Sequence, residues 1–316
     1  MAVKEIETMQ ALILAGGEGT RMRHVTAQVP KPLLYLPGGT LLEHQLALLT
    51  ELGVSQTYVV IHHQSDQMER ALHGLAGVSP LRQRPPFTLL GALASAEGCL
   101  TEPFIVLHGD NYFSQGLQYL VEAAQGTPSG LKVDAAFLVE SETRHPDKAR
   151  HLASTGCYVL SPEILKAARA FQHGDELWHL TAGLLDVGAV VEAVPLRGWR
   201  RNINRLEDLL MVSRHLLDDW SAGLHPPEDV RGLNRTKGLQ NVRPPVWIAP
   251  DSRVSDSSLG PHVVVGPRAR VRECALREVI VCPGAEIARQ TLDRGVVIPT
   301  RLGSMALTPE DEIHTR

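Results

Sequence analysis

Leu14-Ala15-Gly16-Gly17-Glu18-Gly19-Thr20-Arg21, followed shortly by Pro30-Lys31-Pro32-Leu33, is the stretch on which the reading of this chain turns. The apolar run Gln10–Ala15 reads as a short strand that ends in Gly16 and Gly17. Three glycines let the backbone turn tightly and bring its N–H groups close to a polyanion. Arg21 and Lys31 then add two fixed positive charges. Arginine can bridge two phosphate oxygens, whereas lysine supplies a compact point charge. Two familiar phosphate loops do not fit. The P-loop requires G-x-x-x-x-G-K-[ST], and no such lysine follows here. The dinucleotide fingerprint requires G-x-G-x-x-G, and Gly17-Glu18-Gly19-Thr20-Arg21-Met22 lacks its last glycine.

Outward from this loop, strand-like apolar runs alternate with helical periodicity. Thr40 with Glu43 forms a capping-box pattern opening the leucine-rich stretch Leu41–Leu52, and Gly53 falls where a helix C-terminus favours glycine. Val54–His62 reads as a strand, Asp66–Leu75 as a helix and Pro103–Leu107 as a buried strand running into Gly109-Asp110. Leu117–Ala124 reads as a helix, Val133–Val139 and Gly156–Leu160 as strands, and Ser161-Pro162-Glu163 as a helix start. Such alternation predicts an α/β fold with a mostly parallel sheet, whose ligands bind beyond the carboxyl ends of the strands.

The pattern changes near residue 220. Asp218–Arg243 is rich in glycine, proline and charge and reads as a linker or cover segment. Beyond it, Ile248, Val254, Leu259, Val265, Val271, Leu276, Val281, Ile287, Leu292 and Ile298 recur every five or six positions. This is neither helical nor strand periodicity. It predicts hexapeptide repeats stacked as roughly three coils of a parallel β-helix. The expected organisation is residues 1–218, a linker at 219–243 and the repeats with a tail at 244–316.

Composition narrows the function classes. A hydrophobic fraction of 43%, a charged fraction of 21% and a net charge of −4 with scattered basic residues leave no footprint for nucleic acid or a membrane surface. The apolar runs are strand-length, and the N-terminus carries acids without a signal-like apolar stretch, so a cytoplasmic location is expected. Cys99, Cys157, Cys274 and Cys282 lack metal spacing and are expected as reduced core residues. The fourteen histidines, His62, His63, His108 and His151 among them, show no zinc-ligand spacing.

The glycine loop and its Pro-Lys-Pro-Leu sequel resemble the sugar-phosphate nucleotidyltransferases, the nucleotide-sugar pyrophosphorylases, whose pattern is G-G-x-G-T-R-[LM] followed by proline–lysine–proline. The resemblance covers nearly the whole chain. It implies a Rossmann-like αβα sandwich, a left-handed β-helix at the C-terminus, magnesium as cofactor, and a nucleoside triphosphate and a sugar 1-phosphate as substrates. It also implies residue roles. Leu14, Ala15, Gly16, Gly17, Gly19 and Thr20 would hold the nucleotide, while Arg21 and Lys31 would neutralise its triphosphate. Asp110, in Gly109-Asp110, would bind magnesium, a hard ion suited to a carboxylate. Gln83 would contact the base, with Gly91 and Gly109 lining the nucleotide.

Three departures from the family pattern bear on the rest. The small-residue stretch after Gln83 is here Thr88-Leu89-Leu90-Gly91-Ala92. The Glu-Lys-Pro segment, whose lysine grips the sugar phosphate before a Gly-x-Tyr strand, is represented only by Asp147-Lys148-Ala149 ahead of Gly156-Cys157-Tyr158, so the resemblance puts Lys148, Gly156 and Tyr158 at the sugar phosphate. The second metal aspartate aligns with Asn202, and the asparagine used by some relatives with Asn204. Either asparagine could instead cap the helix Leu206–Trp220. Alternative expectations are a catalytically weak regulatory relative acting as an oligomer partner, and an acyltransferase using the repeats and His262. The β-helix is expected to serve as a homo-oligomer surface.

Overall fold

The computed structural model describes residues 9–126, 133–140, 154–168, 177–224, 232–233, 239 and 241–311. The chain divides into two compact units, Met1–Gly17 with His44–Arg200, and Glu18–Glu43 with Arg201–Arg316.

The first unit is built on a sheet of seven strands. In chain order these are β1 (Gln10–Leu14), β2 (Gln56–Ile61), β3 (Val78–Arg82), β4 (Phe104–His108), β5 (Ala135–Val139), β6 (Ser154–Leu160) and β7 (Val191–Pro195). Their spatial order is β7-β5-β6-β4-β1-β2-β3. All pair in parallel except β6, which runs antiparallel to both β4 and β5. The expected mostly parallel sheet is therefore present, with one reversed strand. Leu12, Val60, Phe104, Val106, Phe137 and Tyr158 form its buried centre together with Leu93, Leu180 and Leu184 from helices. Strands buried on both faces read as continuous apolar runs, which is why β1, β4 and β5 are apolar nearly throughout.

Local signals set the element ends. Helix α1 (Leu41–Glu51) begins after Thr40, whose backbone N–H donates to Glu43 Oε2 at 2.6 Å while the Glu43 N–H donates to Thr40 Oγ1 at 3.2 Å. Gly53 follows it at φ 76°, a left-handed conformation that closes the helix at no Cβ cost. The helix expected at Asp66–Leu75 is α2 (Ser65–Leu72), ending earlier because His73 is already extended.

In the second unit, helix α3 (Leu206–Ser221) is followed by short strands between Val246 and Leu307. Neither Asn202 nor Asn204 caps α3. Its N-cap is Arg205, and Asp208 Oδ2 accepts from the Asn204 and Arg205 backbone N–H groups, each at 2.9 Å.

Parallel pairing joins Ile248 to Val265, Val265 to Val281 and Val281 to Val297. It joins Val254 to Val271 to Ile287, and Leu259 to Leu276 to Leu292. Partners lie sixteen or seventeen residues apart, so the spaced apolar marks become three stacks. The last mark shifts by one, because Val297 continues the first stack while Ile298 pairs antiparallel with Met305. Asp256, Glu273 and Arg289 recur at one corner and His262, Glu278 and Arg294 at another, all with φ between 49° and 59°. Within this unit Arg214 pairs with Glu278 at 2.5 Å and His262 with Asp218 at 2.7 Å, while Arg294 pairs with Glu207. Such half-exposed pairs contribute little individually and mainly fix register. No helix among the described residues is long and apolar enough to cross a membrane.

Candidate functional site

The register of the sheet brings four loops to one edge. Leu14 lies between Val60 and His108, so the chain leaves β1, β2 and β4 side by side at their carboxyl ends. The Ala15 N–H donates to Val60 O at 2.9 Å, and the Gly109 N–H donates to Leu14 O at 2.8 Å. β3 ends beside β2, where the Gln83 N–H donates to Ile61 O at 2.8 Å. Gly16, His62, Gln83 and Asp110 therefore emerge at the edge where α/β sheets bind ligands.

Crowding explains Gly16. A Cβ there would stand 2.9 Å from Gln83 Oε1 and 3.3 Å from His62 Cβ, so any side chain would fill the space that these groups frame. Gly17 is exposed with open space around it. The Gln83 amide has a fixed direction. Its Nε2 donates to Thr88 O at 2.9 Å and to Pro86 O at 3.4 Å, which turns Oε1 toward Gly16 as an acceptor. Gly91 and Gly109, expected to line the nucleotide, have packing reasons of their own. A Cβ on Gly91 would stand 1.9 Å from Pro86 O, and one on Gly109 would stand 2.9 Å from Leu14 O.

Asp110 is half-buried, and one of its oxygens, Oδ1, accepts from Asn111 Nδ2 at 2.9 Å. Asn111 is itself oriented by Arg200, whose guanidinium donates to Asn111 Oδ1 at 2.6 Å, to Thr155 O at 2.7 Å and to Glu140 Oε1 at 2.5 Å. Neither Arg200 nor Asn111 stood out in the sequence, since each acts through partners far along the chain. Gly156, at φ 74°, approaches so closely that a Cβ would stand 2.9 Å from Asn111 Nδ2 and 3.0 Å from the His108 ring. Tyr158, expected at the sugar phosphate, is fully buried, with its hydroxyl 3.4 Å from His108 Nε2. Burial pushes the His108 imidazole down, opposed by Asp110 and reinforced by Arg200. Its role here is that of a neutral hydrogen-bonding ring. Lys148 lies outside the described residues.

The second unit carries Arg21 and Lys31. Gly19 sits at φ 62°, and a Cβ on it would stand 2.7 Å from Thr26 Cγ2. The Thr26 hydroxyl donates to Gly19 O at 3.0 Å, fixing the turn from which Thr20 and Arg21 project exposed. Lys31 opens a short 3-10 turn between two prolines and is only 9% exposed. Its Nζ donates to Asn204 Oδ1 at 3.1 Å, bringing two of the expected site residues together. Asn202 Oδ1 is buried with no hydrogen-bond partner among the described residues. A buried carbonyl oxygen without a donor carries a desolvation cost that a hard cation would relieve. The Asn204 oxygen, by contrast, already accepts from Lys31. No group of three or more histidine, cysteine or acidic side chains able to hold a metal occurs among the described residues.

Comparison with known proteins gives the family. The MobA-like NTP transferase domain matches residues 11–187, more than half of the chain, and the protein belongs to that family. It is 26% identical over 301 residues to a glucose-1-phosphate thymidylyltransferase of Streptomyces antibioticus, covering 83% of this chain and 84% of that one. It is 27% identical over 232 residues to a UTP–glucose-1-phosphate uridylyltransferase of Haloferax volcanii, covering 63% of this chain and 93% of that one. The fold resembles that of a UDP-glucose pyrophosphorylase from Acinetobacter baumanii, with a TM-score of 0.56 at 15% identity over 66% of this chain and 93% of that one.

Proposed function

We propose that this protein joins a nucleoside triphosphate to a sugar 1-phosphate, giving a nucleotide-sugar and pyrophosphate. The observation that carries the reading is the meeting of the glycine-rich turn with the Gln83 Oε1 acceptor and His62 at the carboxyl edge of the parallel strands, so close that Gly16 admits no side chain. The sugar-phosphate oxygen attacks the α-phosphorus, the bond from that phosphorus to the bridging oxygen breaks, and pyrophosphate leaves with the electron pair. A sugar phosphate is already an anion, so no general base or covalent intermediate is needed. The work is positioning and charge neutralisation.

Leu14, Ala15, Gly16, Gly17, Gly19 and Thr20 hold the nucleotide, and Arg21 and Lys31 offset its triphosphate charge. Gln83 offers an acceptor to the base. Uracil, thymine and guanine present a ring N–H in the middle of their pairing edge, whereas adenine and cytosine present a ring acceptor, so the reading favours the first three. Gly156 shapes the sugar-phosphate side by admitting His108 and Asn111 close to the chain, and Lys148 is the candidate cation there. Asp110 is the anionic ligand for magnesium, with Asn202 and Asn204 as neutral oxygen donors. When bound, the metal supplies positive charge to the triphosphate oxygens.

In the same reading, residues 1–218 form the transferase domain, 219–243 a linker, and 244–316 a left-handed β-helix with its tail. The three apolar stacks and their left-handed corners support that coil. The coil is proposed as the contact surface of a homo-oligomer, whose mass sedimentation velocity would measure, and the protein is placed in the cytoplasm. The decisive experiment is a pyrophosphate-release screen with magnesium, pairing each nucleoside triphosphate with the 1-phosphates of glucose, mannose, N-acetylglucosamine and heptose. Turnover with a ring N–H base is expected. Silence across the grid would favour a ligand-binding regulatory protein instead.

A further inference from the structure

The loop after Gln83 carries a feature that the transferase reading does not use. Phe87 is 55% exposed, yet its ring is held parallel to the His62 ring, with centroids 3.7 Å apart and planes 14° apart. A single exposed aromatic on a surface is ordinary. This one is oriented, and the residue that orients it packs against the glycine-rich turn, with His62 Cβ 3.3 Å from where a Gly16 Cβ would stand. The same loop is pinned from within. Gln83 Nε2 binds the carbonyls of Pro86 and Thr88, which flank Phe87, and the Thr88 hydroxyl accepts from the Gly91 N–H at 3.1 Å. Gln83 and Phe87 thus belong to one internally hydrogen-bonded loop. Gln83 presents a hydrogen-bond acceptor beside a preformed two-ring stack with one face open.

We propose that Phe87, backed by His62, is a stacking platform for the base of the nucleoside triphosphate. This rests on the nucleotide-binding reading above and deepens it, since Gln83 reads the edge of the base and Phe87 its face. A planar aromatic ring on the open face of Phe87 continues the existing stack in the offset geometry that π-systems favour. Stacking is tolerant of base identity, because every base has a π-face. Phe87 accordingly sets affinity for any nucleotide, while edge contacts set the choice among them.

The test measures binding by calorimetry, without sugar phosphate, of inorganic tripolyphosphate and of the nucleoside triphosphate that the wild type binds best. Loss of one base–aromatic stack corresponds to roughly a 5- to 150-fold weakening. Phe87→Ala is expected to weaken the nucleotide by about that factor and to leave tripolyphosphate unchanged. Phe87→Tyr is expected to restore nucleotide affinity. Being half-exposed, the position tolerates both changes without loss of fold, which the melting temperature checks. Unchanged nucleotide affinity in Phe87→Ala would overturn the platform while leaving the transferase reading intact. Equal weakening of nucleotide and tripolyphosphate would overturn it too, since the loop and not the stack would then be responsible. A wild type that binds no nucleoside triphosphate would overturn both.

Discussion

At the scale of single residues, position alone separates chemistry from stability. Arg21 is exposed and Asp110 half-buried, so neither belongs to the apolar core. Single charge-stabilising groups in other enzymes account for factors on the order of 100 to 1,000 in turnover. Arg21→Ala and Asp110→Ala are each expected to lower pyrophosphate release by about that much, with the melting temperature within a few degrees of wild type. Wild-type turnover in either variant would remove that residue from the site. Arg200 is the contrasting case. Its three hydrogen-bond partners include a backbone carbonyl and the amide that orients Asp110, so its loss would disturb fold and site together.

At the scale of elements, the C-terminal strands are governed by corners as much as by stacks. A left-handed conformation costs an ordinary L-residue roughly 1–2 kcal/mol and costs glycine little. Arg268 sits at φ 58° and is exposed, and Gly284 occupies the next corner of the series at φ 72°. Arg268→Gly is therefore expected to leave the unfolding free energy unchanged or to raise it by up to about 1 kcal/mol, because the added chain entropy offsets part of the relief. Arg268→Val is expected to lower it by about 1 kcal/mol, since a β-branched residue tolerates that corner worst. Urea unfolding of the two variants measures both, and a stabilising valine would refute the account of the corners. The sequence displayed the stacks through their spacing, because each inward residue must be apolar wherever the chain turns. It did not display the corners, because arginine, glutamate and histidine occupy them as readily as glycine does.

At the scale of the whole molecule, the four cysteines report on how the interior excludes water. Cys157, Cys274 and Cys282 are buried and Cys99 is partly exposed, and all four are free thiols. Burial pushes the Cys157 thiol well up and the Cys282 thiol to about 12. The thiolate is the reactive form, so at pH 8 both stay protonated and inert as well as shielded. A thiol reagent at pH 8 is expected to modify Cys99 first in the native protein and all four cysteines in guanidinium. Rapid native labelling of Cys157 or Cys282, read by peptide mass, would contradict the packing described for the sheet and the stacks.

The sequence by itself determined the features whose causes are local. These are the glycine-rich exit from β1, the Thr40–Glu43 cap, the close of α1 at Gly53, the strand–helix alternation and the spacing of the C-terminal apolar marks. Each follows from backbone conformation or side-chain period within a few residues. Only the tertiary structure decided what depends on partners far away in the chain. It reversed β6 in an otherwise parallel sheet, gave Gly91 and Gly109 steric reasons to be glycine, and passed the capping of α3 to Arg205 and Asp208. It also separated the two asparagines, engaging Asn204 with Lys31 and leaving the Asn202 oxygen without a donor among the described residues. The same holds for Phe87, an unremarked loop residue in the sequence, which becomes an oriented ring because β2 delivers His62 beneath it. Which side chain meets which is set by sheet register, and register is a property of the folded chain.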